Sequence, residues 1–214
     1  MCWNAEVSLN TFLFSGFVLL LIMYNNAYTQ YKIKELDNIW AYLFFASFIF
    51  MQLIEFFIWR NIDNPFYNRL FTILATLLIL LQPIASMMLL TNTKTLNILL
   101  SLYLFIAVPF ASYIFFYDKK YSNITKNNHL DWSITNIFPK NISIFIALIW
   151  LCFFLFPLCN IKYFYRFLFG FLTLLVIAYN YYNDQSLASM WCWVVNSLML
   201  YYATYLLFYL PFFK

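Results

Sequence analysis

The chain has 214 residues, 65% of them hydrophobic and 9% charged, with a formal net charge of +4 at pH 7. A soluble domain carries roughly a quarter charged residues, so the charge here is too sparse to coat a water-soluble globule and the natural solvent is lipid. The Lys and Arg residues are spread over several loops rather than gathered in a stripe, which argues against a nucleic-acid partner.

Seven apolar stretches reach the roughly 17 to 25 residues that a helix needs to cross a hydrocarbon core. In chain order they run Val7 to Tyr24, Ile39 to Trp59, Leu70 to Leu90, Leu96 to Tyr117, Ile142 to Leu158, Phe164 to Tyr182 and Leu187 to Tyr209. None alternates apolar with polar residues as barrel strands do. The expected fold class is all-α, a polytopic transmembrane helical bundle forming one domain over residues 1–214. Short links join the spans except at 118–141, a longer polar loop that divides them as 3+1+3. That count matches the plan of small carriers, by analogy alone.

The first span is preceded by Glu6 and by no Lys or Arg, and no small-residue cleavage site follows Met23, so it is expected to be retained rather than removed as a signal peptide. With seven spans the ends of the chain face opposite sides. Side A, the amino-terminal one, carries Arg60, Arg69, Lys119, Lys120, Lys126 and Lys140; side B carries Lys32, Lys34, Lys94, Lys162, Arg166 and Lys214. The positive-inside rule therefore returns a tie. Two glycosylation sequons, Asn123-Ile-Thr and Asn141-Ile-Ser, favour a lumenal side A, although a chain so rich in Asn and hydroxyl residues contains about that many by chance.

Phe, Tyr, Asn, Ile and Lys are abundant while there are only two glycines, a bias that A/T-rich codons produce by themselves. Single aromatic and Asn positions are accordingly not read as signals. The four cysteines are scattered without a metal-binding spacing, and intramembrane Cys is usually a small apolar filler. Neither a metal nor a cofactor is expected. Cys2 would be a site for palmitoylation, without a neighbouring signal that demands it.

Glu55 is the only acidic residue inside an expected span, and Gln52 shares its helix face three positions earlier. An ionisable group in hydrocarbon costs at least a few kcal/mol and so faces a cavity or a partner. The competing reading puts Glu55 in the headgroup region, one turn from Trp59 and Arg60. In the last span Ser189, Trp193 and Asn196 share a face, which suits either a pocket lining or interhelical hydrogen bonds. Gln82 precedes Pro83, and Pro109 interrupts the fourth span; each proline frees a carbonyl one turn earlier that a neighbour must satisfy. His129 and Asp131, beside Trp132, could serve acid/base chemistry, with a solvated loop and an interfacial Trp as the default. Any pocket is expected to open to side A between spans two, three and seven.

The start Met1-Cys2-Trp3-Asn4-Ala5-Glu6-Val7-Ser8-Leu9-Asn10, the string Gln52-Leu53-Ile54-Glu55-Phe56-Phe57-Ile58-Trp59, Leu81-Gln82-Pro83-Ile84, His129-Leu130-Asp131-Trp132 and Ser189-Met190-Trp191-Cys192-Trp193-Val194-Val195-Asn196 follow one another along most of the chain. Together they resemble an uncharacterised family of multi-pass membrane proteins encoded by giant DNA viruses. The resemblance implies a viral source and a host or virion membrane, and no activity.

Three classes of function follow from these residues. The first is a small carrier or channel-like protein for a proton or small solute, with Glu55 as ionisable group and Gln52, Gln82 and Asn196 as polar liners. The second is a membrane-embedded lipid-modifying enzyme using Glu55, His129 or Asp131, which requires those groups to converge. The third is a structural or assembly protein of a viral membrane, which needs no enclosed polar pocket. The lipid bilayer is the one partner common to all three.

Overall fold

The computed structural model describes residues 4–116, 121–132, 140–159, 164–181 and 186–213, with the side chains of 140 and 141 left aside. Seven helical segments in it are long and apolar enough to cross a membrane, so the chain is a multi-pass integral membrane protein. They are α1 (Ala5–Tyr28), α2 (Ile39–Arg60), α3 (Pro65–Met87), α4 (Thr93–Phe116), α5 (Lys140–Leu155, continued by a tighter turn to Cys159), α6 (Phe164–Tyr181) and a last span from Leu187 to Phe213.

Asparagine starts the first four. Asn4 accepts a hydrogen bond from Val7 N, Asn38 from Trp40 N, Asn64 from Tyr67 N, and Asn92 from Lys94 N and Thr95 N. A helix leaves its first four N–H groups without partners in the helix, and a short polar side chain at the cap satisfies one or two of them. Pro65 follows the Asn64 cap, where its missing N–H costs nothing, which explains why α3 begins five residues before the apolar run.

The most enclosed helix is α2. It packs against α1, α3 and the start of the last span, while α4 and α5 lie outside against α3, and α6 against the last span. Its buried stripe of Phe44, Phe45, Phe48, Met51, Gln52, Glu55 and Ile58 recurs every three or four residues, as a helix requires to keep one face inward. An aromatic cluster joins α2 to α5 and the last span: Phe154 stacks on Phe44 and on Trp150, and meets Trp191 edge-on.

Pro83 leaves the carbonyl of Ile79 without its helical donor. Trp150 of α5 supplies one, with Nε1 donating to Ile79 O at 2.9 Å, and the Tyr103 hydroxyl of α4 donates to the next carbonyl, Leu80 O, at 2.7 Å. The irregularity in α3 is thus where its two outer neighbours attach.

The last span is interrupted rather than continuous. It comprises α7 (Leu187–Val195), α8 (Ser197–Thr204), a wide π turn at Tyr205–Tyr209 and α9 (Leu210–Phe213). Asn196 causes the first break. Its side-chain Nδ2 occupies the Cys192 carbonyl at 2.9 Å, so its backbone N–H bonds one residue closer, to Trp193 O.

The loop expected to be solvated is folded against the bundle. Within 121–132, β1 (Asn123–Ile124) pairs antiparallel with β2 (Leu130–Asp131), and Asn128 takes the left-handed conformation at the turn, with φ 59°. Ser122 anchors this hairpin: its N–H donates to Asn68 Oδ1 and Thr72 Oγ1, its carbonyl accepts from Asn68 Nδ2, and its hydroxyl meets Thr72 Oγ1 at 2.7 Å. Leu130 and Trp132 are consequently buried, Trp132 to 2% exposure, which corrects the expectation of a solvated loop at this segment.

On the B side, Arg166 of α6 donates to Tyr202 Oη and pairs with Glu35 of the α1–α2 link at 3.3 Å. Asn26 holds the same link by exchanging hydrogen bonds with the backbone of Ile33 and donating to Tyr42.

Candidate functional site

Glu55 is fully buried in the bundle and does not reach bulk water beside Arg60. Gln52 Nε2 donates to its Oε2 at 2.9 Å from the same helix, and the Ser189 hydroxyl donates to its Oε1 at 2.8 Å from α7. The Ser189 bond, between residues 134 positions apart in sequence, ties α2 to the last span, while Gln52 orients the same carboxyl group from within α2.

Beside this link lies a cavity of about 330 Å³, toward side A. Its walls come from α3, α4, α5 and α7 with Leu174 of α6, and the hairpin residues Leu130, Asp131 and Trp132 roof it. The sequence expectation of a side-A pocket between spans two, three and seven thus needs correcting: α2 is not a wall, and α4 and α5 are. Near Pro83, the released Ile79 carbonyl ties Trp150 of α5 to α3 and the neighbouring Leu80 carbonyl ties Tyr103 of α4, which sets α5 and α4 on either side of the space.

Most of the lining is apolar or aromatic, with Thr76, Gln82, Asp131 and Ser189 among its few polar side chains. Gln82, fully buried, lines the cavity, and among the described residues neither of its amide atoms has a partner at hydrogen-bond distance. The Cys192 thiol stands beside it as a weak contact only. Ser189 from α7 and Asp131 from the roof also line the cavity. Ser189 is therefore shared: it faces the cavity and holds Glu55.

The other sequence candidates fall outside the lining. Gln52 stands behind Glu55, with its Oε1 unbonded among the described residues. Trp193 Nε1 donates to Thr11 Oγ1 of α1, and Asn196 Nδ2 reaches Phe48 O of α2 as well as Cys192 O. The polar face of the last span is thus a set of interhelical hydrogen bonds, and only Ser189 doubles as lining. His129 is buried edge-on against Tyr181 at 5.3 Å, close to the roof but not in it.

Sequence reasoning missed the aromatic wall of Trp150 and Trp191 and the anchoring trio Asn68, Thr72 and Ser122. Spacing could have found Trp150 only by pairing it with the carbonyl freed by Pro83, across 71 residues. Cys2, Lys119, Lys120, Lys162, Asp184 and Lys214 lie outside the described residues. Among those described, no three His, Cys, Asp or Glu side chains gather as a metal site. Comparisons with protein-family models, with curated proteins and with solved structures find no match to this chain.

Proposed function

We propose that this multi-pass protein is a small carrier that binds a solute in the cavity between α3, α4, α5 and α7 and couples its binding to a proton on Glu55. The observation that carries the reading is the double role of Ser189, a lining residue of the cavity whose hydroxyl donates to the Glu55 carboxyl group. A polar group entering the cavity competes for that hydroxyl, and the carboxyl group responds by changing partner or protonation. Gln82 supplies a donor and an acceptor to the same occupant.

Proteoliposomes enclosing a pH-sensitive dye test this directly. Wild-type protein should dissipate an imposed pH gradient, and Glu55→Gln should not, because the amide keeps size and hydrogen bonding but exchanges no proton. Unchanged flux in that variant removes Glu55 from the role, and no flux in wild type removes the carrier reading.

A lipid-modifying enzyme is the second reading, favoured by one observation: the carboxyl-bearing Asp131 and the hydroxyl-bearing Ser189 line the same cavity. It expects altered lipids, visible by mass spectrometry, after incubation of the protein with vesicles.

A further inference from the structure

The cavity has one covered end and one open flank. The hairpin roofs it toward side A, where Leu130 and Trp132 are buried. Toward side B, Tyr103 of α4 and Phe153 of α5 close it with ring centroids 5.3 Å apart. Between these limits α4 and α5 each pack on α3 but scarcely on each other.

Two residues of the lining reveal the gap. Ile106 of α4 is 43% exposed and Ala147 of α5 is also exposed, although both line the cavity. Ile106 lies ten residues before the end of α4, about 15 Å along the helix at 1.5 Å per residue, which is hydrocarbon depth. The mouth therefore opens sideways into lipid.

The chemistry inside restricts what enters. The walls Ile79, Ile106, Phe110, Ile146, Trp150 and Trp191 are apolar or aromatic, and the described lining contains no Lys or Arg. Gln82 offers one donor and one acceptor, which a neutral head that does both can satisfy together. At roughly 30 Å³ per water-sized group, the space holds on the order of ten non-hydrogen atoms, and it sits at the lower end of the range for small-molecule sites.

We propose that the cavity takes, from the lipid phase and through the gap between α4 and α5, a single-chain amphiphile of about that size. Its head is a neutral hydroxyl, amide or protonated carboxyl group hydrogen-bonded to Gln82. The proposal rests on the cavity being a binding site, as in the carrier reading, and names the class of its occupant.

The test uses the full chain in phosphatidylcholine vesicles with a diazirine-bearing medium-chain alkanol as probe, read by mass spectrometry of labelled peptides. Labelling should concentrate on the stretches around Ile106 and Ala147, well above the outward-facing Tyr179, and excess unlabelled octanol should compete for it. Gln82→Leu should reduce cavity labelling by the alkanol about five-fold, the worth of one net hydrogen bond, and leave labelling by a diazirine hydrocarbon without the hydroxyl unchanged. Ala147→Trp, on an exposed position, should block both probes.

Cavity labelling no greater than that of Tyr179 would overturn the proposal, as would a Gln82→Leu protein that treats both probes alike. Labelling in a protein that shows no proton flux removes the carrier reading and keeps this one. Proton flux without cavity labelling does the reverse.

Discussion

In a Glu55→Leu variant, the buried Gln52 Nε2 and Ser189 hydroxyl each lose the oxygen they donate to. Interhelical hydrogen bonds in membranes are worth roughly 0.6 to 2 kcal/mol each, so unfolding in detergent should show a loss of about 1 to 3 kcal/mol. Glu55→Gln should lose much less, because its amide oxygen still accepts and the Ser189 hydroxyl can turn to accept from the new NH₂. Equal destabilisation by the two variants would mean that volume, not hydrogen bonding, holds α2 to α7. Glu55 was legible in the sequence because an acid among apolar residues is costly wherever it sits. Asparagine was not, since a composition rich in Asn conceals the ones that matter. Asn4, Asn38, Asn64 and Asn92 each cap a helix, and Asn68 holds the hairpin, yet nothing local separates them from the rest.

At the scale of elements, Pro83 and Trp150 form a pair whose energy can be isolated. Trp150→Phe strands the Ile79 carbonyl and should cost about 1 kcal/mol beyond its packing loss. In a Pro83→Ala background the alanine N–H takes that carbonyl itself, so the same substitution should cost only the packing loss. A double-mutant cycle measured by unfolding should return a coupling of about 0.5 to 1 kcal/mol; zero coupling would show that the indole N–H contributes nothing. The seven helices and their order were readable from hydropathy, and the proline irregularity from one residue. Its partner, and hence the positions of α4 and α5 around the cavity, depended on tertiary contacts that no local period records. The break in the last span is a similar case. Asn196 stood out as polar, but whether its amide would reach across to α2, back to Cys192 or into a pocket is decided by packing.

For the whole molecule, an odd number of spans places tags at the two ends of the chain on opposite faces of a sealed vesicle, and accessibility from one side only would break the alternation of crossings. The hairpin roof supplies a second measurement. Asn68→Ala removes its bonds to both the N–H and the carbonyl of Ser122, a loss of about 2 kcal/mol. Amide exchange over residues 121–132 should then quicken about thirty-fold, and unchanged protection would show that Leu130 and Trp132 alone hold the roof. The roof was the least legible part, because a segment rich in Lys, Asn and Asp gives no hydrophobic period and its burial rests on three small polar residues meeting across 50 or more positions.

The link between Glu55 and Ser189 also has a meaning in time. During synthesis α1, α2 and α3 emerge first and pack in that order, so Glu55 enters the membrane with Gln52 beside it and its second donor not yet made. At roughly 5 to 20 residues per second, the 134 residues to Ser189 take about 7 to 27 s. For that interval the carboxyl group lacks the Ser189 hydroxyl, which arrives with α7. A chain stopped before Ser189 leaves that acid without the hydroxyl of α7, a mark by which quality control could tell an unfinished copy from a finished one.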